Sequence, residues 1–217
     1  MACKTVGKSS AARHNLRGMA FACQGRLLVQ PTALALPGHQ EIPMIYGLTY
    51  LGVIHTAISL VAVAAALIAF FRDKEIIAAS TLGKVYIWTT VLTCLTSFGI
   101  FQHGGFGKPH ALGIITLLVL GIAWVAGTTK VLGRASAYVE TLSYSITFLF
   151  HMIPAITETS TRLPLGAPLL ASPEAPELKA ATGVLLLLYI IGATLQVRRI
   201  RARNAAQAVS LPGSAAV

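Results

Sequence analysis

The chain has 217 residues, of which 55% are hydrophobic and 11% charged, whereas a soluble globular domain carries roughly 25% charged residues. With a mean hydropathy of +0.71, this composition excludes an ordinary soluble domain and indicates an all-α, polytopic transmembrane helical bundle in contact with the lipid bilayer. The formal charge of +10 does not point to nucleic acid. The cations gather at Lys4, Lys8, Arg13, Arg17 and Arg26 near the start and at Arg198, Arg199, Arg201 and Arg203 near the end, which is a product of membrane topology and anionic lipid.

Residues 1–43 hold no acid before Glu41 and are rich in Lys, Arg, Ser and Ala. This is a basic segment outside the bundle, and it has four readings: a transit sequence, a failed signal peptide, a loose disordered tail, or a stretch preceding a true start at Met44. An apolar core at Met19–Val29 is interrupted by Gln24, Gly25 and Arg26, which argues against a cleaved signal. The bundle is expected over residues 44–203, followed by a flexible tail at 204–217.

About five spans are expected, near residues 45–71, 85–101, 111–128, 138–157 and 180–197. Tyr46 and Tyr50 form an interfacial belt at the first, and Arg72-Asp73-Lys74-Glu75 forms its polar stop. The second carries a row of small hydroxyls, Thr89, Thr93, Thr96 and Ser97, suited to close helix contact. A loop containing His103 and His110 leads to the third span, which Lys130 and Arg134 end. Of the cysteines, Cys3 and Cys23 lie in the basic segment and Cys94 in the second span, without metal-ligand spacing.

The fourth span is the most informative. At 100° per residue Glu140, Tyr144, Thr147, His151 and Glu158 share one stripe, while Leu142, Ile146, Leu149, Phe150 and Ile153 occupy the rest. Such a stripe requires a wet or protein-lined neighbour, and Pro154 is expected to bend the helix close to His151. A Pro-rich connection at residues 163–176 precedes the fifth span and is a candidate docking loop for a membrane partner.

Orientation follows from the cations at the span ends. One face carries nine, Arg72, Lys74, Lys84, Lys130, Arg134, Arg198, Arg199, Arg201 and Arg203, and the other four, Arg26, Lys108, Arg162 and Lys179. The C-terminus is therefore expected in the cytoplasm and the N-terminal side outside. His55 and His151 then lie roughly 7–9 Å below the outer interface at about 1.5 Å per residue, with His103, His110 and Glu158 nearer the mouth.

Three chemistries suit that set. A divalent transition metal is held by imidazole and carboxylate, with His55 and His151 as inner ligands and Glu158, His103 and His110 as outer ones. A haem b would take His55 and His151 as axial ligands, making a small electron carrier. A proton relay needs only a titratable His–Glu series near water. Beside these stand structural readings: His55 and His151 as hydrogen-bonding residues between helices, His103 and His110 as loop residues, Glu140 as a helix-dipole partner, and Glu158 as the ion-pair mate of Arg162 four residues on. No nucleophile–base spacing, phosphate loop or cofactor fingerprint suggests an enzyme.

The stretch Leu82, Gly83, Lys84, Val85, Tyr86 resembles a leucine-glycine-basic-valine-tyrosine sequence that ends the first basic loop in a family of bacterial polytopic membrane proteins, domain of unknown function 2306. The similarity covers about residues 51–127. It lacks the histidine expected before the leucine-glycine pair, where Ala78, Ala79, Ser80 and Thr81 stand. The resemblance implies a helical bundle of the bacterial inner membrane and no established activity. The combined expectation is an integral membrane protein with an outward-facing His/Glu pocket for a metal ion or a proton path; the alternatives are the haem-binding carrier and a structural accessory subunit.

Overall fold

The computed structural model describes residues 49–100 and 105–209, and within them every regular element is helical. The helices are α1 (Tyr50–Arg72), α2 (Thr81–Ser97), α3 (Lys108–Thr129), α4 (Ser136–Arg162) and α5 (Pro176–Val209), with a single 3-10 turn at Gly133–Ala135 leading into α4. Four of them, α1, α3, α4 and α5, are long and apolar enough to cross a membrane. α2 has 17 residues, about 25 Å at 1.5 Å per residue against a hydrocarbon core of about 30 Å.

Capping sets the boundaries and corrects the expected ones. Thr49 and Ser80 accept hydrogen bonds from Gly52 and Gly83 amides at 3.1 and 3.0 Å, so α2 begins at Thr81 and not at residue 85. At its other end α2 stops at Ser97, short of the expected 101. α4 runs on through Pro154 to Arg162, and α5 stays helical to Val209, past the polar stop at 198–203 and into the expected flexible tail.

Successive helices are antiparallel. His55 of α1 meets Thr96 of α2, Gly113 of α3 lies against Ser97, Gly127 of α3 lies against Glu140, and Ser145 of α4 meets Gln196 of α5. One end of the bundle therefore gathers the turn after α1, the turn after α3 and the C-terminal part of α5, and with them all nine cations of the more basic face.

α1 and α2 are the most closely packed pair. Ala62, Ala65, Ala66 and Ala69 recur at helical spacing on α1, are at most 5% exposed, and join Tyr86, Leu120, Ala123 and Tyr144 in the core. Small residues let backbones approach, which is how helices associate in lipid without a hydrophobic driving force between them. Large apolar residues point outward instead, among them Leu60, Ile68, Leu118, Trp124 and Leu187. The backbones of α2 and α4 stay apart, and side chains bridge the space between them.

Candidate functional site

The polar side chains of the interior are organised on α2. Thr89, Thr93, Thr96 and Ser97 each donate to a carbonyl three or four residues back in their own helix, at 2.6–2.9 Å, the usual way a helix absorbs a hydroxyl. Thr90 is turned toward α4, where its Oγ1 lies 3.0 Å from His151 Nε2. Tyr86, fully buried, reaches the same helix: its hydroxyl is 2.7 Å from Thr147 Oγ1 and also interacts with the Thr90 hydroxyl. The Tyr86 and His151 rings meet edge to face at 6.1 Å.

Donor counting gives this group a direction. Thr147 donates its only proton to the Tyr144 carbonyl at 2.8 Å, so Tyr86 donates to Thr147. Reading the Thr90–Tyr86 interaction as Thr90 donating to the phenol oxygen leaves Thr90 Oγ1 to accept from His151 Nε2. The four side chains form one chain, His151 to Thr90 to Tyr86 to Thr147, that assigns the ring proton to Nε2 of His151 and leaves Nδ1 as the acceptor.

His55 is held separately, one to two turns further along α2. Its Nδ1 lies 3.0 Å from Thr96 Oγ1. Thr96 gives its own proton to the Leu92 carbonyl at 2.9 Å, so the imidazole donates. Thr90 and Thr96 are about 9 Å apart along the helix axis. His55 nevertheless stays within electrostatic reach of both His151 and Glu158.

The remaining expected ligands have other partners. His110 is buried at the start of α3, where its Nδ1 accepts the Gly107 amide at 3.2 Å and its ring lies 5.2 Å from Phe106; it caps a helix rather than standing in a loop. Glu158 is ion-paired with Arg162. His103 lies outside the described residues. Among the described residues no three His, Cys, Asp or Glu side chains converge as metal ligands. Ligation of a metal or haem through His151 Nε2 or His55 Nδ1 would compete with the threonine hydrogen bonds.

No family model, curated protein or solved structure matches the chain. Its own geometry carries the reading of the site.

A second polar junction closes the basic end of the bundle. Glu75, in the turn after α1, accepts from Thr141 of α4 at 3.2 Å and pairs with Arg203 of α5. Gln196 of α5 accepts from Ser145 at 2.9 Å and donates to the Lys74 carbonyl at 3.1 Å. Glu140 lies beyond the first turn of α4 and pairs with Lys130 at 3.4 Å, which replaces the expected helix-dipole role. Three elements thus share Glu75, which in the sequence is only the last charge of a polar stop. Thr90 was likewise legible only as one hydroxyl among many, because its distinction is the direction of its side chain.

Outside the apolar spans, electrostatics acts on the loops. The Lys108 ammonium paired with Glu174 holds that carboxyl below its ordinary value, and Arg72 does the same to Asp73. The first pair ties the start of α3 to the Pro-rich connection, and the 3.0 Å hydrogen bond from the Leu170 amide to the Ser160 carbonyl ties the end of α4 to it. That connection exposes Leu163, Leu165 and Leu169.

Proposed function

We propose that this integral membrane protein handles protons through the buried chain His151–Thr90–Tyr86–Thr147, with His55 and Glu158 as the groups nearer the mouth. The observation that carries this reading is the direction of Thr90 on α2, since it faces the buried His151 imidazole of α4, whereas Thr96, the other hydroxyl of α2 that meets an imidazole, gives its proton to the Leu92 carbonyl of its own helix. Exchangeable groups in a low-dielectric interior polarise one another and move protons over short distances without a bound ion. An ionisable residue at membrane depth is also costly unless function retains it.

The nine cations gathered at one end support an orientation with that end, and the C-terminus, in the cytoplasm. The likeness of Leu82–Tyr86 to a bacterial inner-membrane family favours that membrane. Reporter fusions test the orientation: a C-terminal green fluorescent protein fluoresces and a C-terminal alkaline phosphatase is inactive, and the reverse pair would invert it.

Proton handling is tested in proteoliposomes with a trapped pH-sensitive dye and an imposed pH step. The protein is expected to speed equilibration over protein-free vesicles. Thr90→Val and His151→Ala should each slow it about tenfold, the equivalent of about 1.4 kcal/mol of barrier, while lipid-facing Leu60→Ala leaves it unchanged. Equilibration no faster than in empty vesicles would remove the proposal.

A further inference from the structure

α5 is the least covered of the long helices. Only 6% of its apolar window is buried, against 22–33% for α1, α3 and α4, and among the described residues its helical partner is α4 alone. It is pinned at the basic end, through Gln196 to Ser145 and the Lys74 carbonyl and through Arg203 to Glu75. Between α5 and α1, floored by α4, lies a cavity of about 470 Å³, within the roughly 300–1,000 Å³ range of small-molecule sites.

The two ends of this cavity differ in chemistry. Its length is lined by apolar side chains such as Leu67, Phe70, Met152 and Leu188, and its basic end by Lys74, Arg199, Gln196 and Ser145. The nearby carboxylates are already matched, Asp73 by Arg72 and Glu75 by Arg203. Lys74 and Arg199 have no carboxylate partner among the described residues, and both are exposed. The Lys74 ammonium donates to the Phe71 carbonyl, at 2.6 Å. Two uncompensated cations at the interface, above an apolar slot between helices, are complementary to a negative headgroup carrying an acyl chain.

We infer that the α1–α4–α5 cleft is a binding site for an anionic glycerophospholipid, with an acyl chain along the apolar wall and the phosphate between Lys74 and Arg199. The site is independent of the proton chain, which lies on the other side of α4. Neutral phospholipid would gain the apolar burial without the charge match, so the site discriminates by headgroup.

Native mass spectrometry of the full chain, released from detergent after incubation with equimolar phosphatidylglycerol and phosphatidylcholine, reads this directly. One phosphatidylglycerol is expected to be retained preferentially. Lys74→Gln with Arg199→Gln should lower that preference about twenty-five-fold, at roughly fivefold per juxtamembrane cation. Gly192→Phe, which fills the slot without altering charge, should abolish retention of both lipids in protein whose size-exclusion profile is unchanged. Arg198→Gln with Arg201→Gln removes equal charge outside the cavity and should leave the preference intact. Equal retention of the two lipids, or an equal loss in the Arg198/Arg201 control, would overturn the site in favour of bulk attraction. A lipid-free dimer broken by Gly192→Phe would overturn it in favour of a second copy of the chain.

Discussion

At Gly83 the chain has no room for a side chain: a Cβ there would lie 1.9 Å from the Ile77 carbonyl oxygen and 2.7 Å from its carbon. The turn after α1 folds back over the first turn of α2, while the Gly83 amide caps on Ser80. Gly83→Ala must shift backbone, and should cost about 1–3 kcal/mol, as overpacking does; a thermal melt of detergent-purified protein checks this. The motif of the Leu82–Tyr86 likeness thus contains two residues with physical tasks, Gly83 at the turn and Tyr86 in the buried chain. Removing the Tyr86 hydroxyl by Tyr86→Phe leaves Thr147 Oγ1 without its donor and should destabilise by about 1–3 kcal/mol, whereas Trp88→Phe, on the exposed face of the same helix, should have little effect in the same melt.

At the scale of elements, two helices show what periodicity reveals and what it hides. α4 was legible, because Tyr144, Thr147 and His151 share a stripe and all three are buried. Its amphipathic contrast identifies the inward face. α1 was not, because it is apolar all round and a uniform helix has no preferred face in the sequence. Ala64 is outward and Ala65 buried, although nothing in their chemistry separates them. The inward stripe of Ala62, Ala65, Ala66 and Ala69 emerges only from the period of small residues matched against α2. Enlarging it should therefore hurt where enlarging the outer face does not. Ala66→Leu should lower stability by about 1–3 kcal/mol through loss of α1–α2 packing, and Ala64→Leu should be near neutral, with both read from the same melt.

At the scale of the molecule, the fold class and the gathering of cations at one end were readable from composition and span order. The convergence of the histidines was readable only in part. His55 and His151 do share the α2 neighbourhood, but each is held by its own threonine, and His110 serves its own helix. Sequence places a residue at a depth; it does not say which way a threonine hydroxyl turns. At the other end of the molecule a pH response is expected through Lys108 and Glu174. Because the folded pKa of Glu174 is held below its ordinary 4.5, the stabilisation is complete above that value and is lost as pH falls through the folded pKa. Melting measured from neutral pH down to pH 3 should fall less steeply in Glu174→Gln than in the parent protein, and identical slopes would show that this pair does not contribute.

The directed chain from His151 to Thr147 can be read out by nitrogen-15 solid-state NMR of histidine-labelled protein in lipid. The His151 signal, assigned by its absence in His151→Ala, should show the proton on Nε2 and the lone pair on Nδ1, and should shift in Thr90→Val. A His151 ring that carries its proton on Nδ1 with Nε2 as acceptor, unaffected by Thr90→Val, would contradict the chain and with it the proton-handling account.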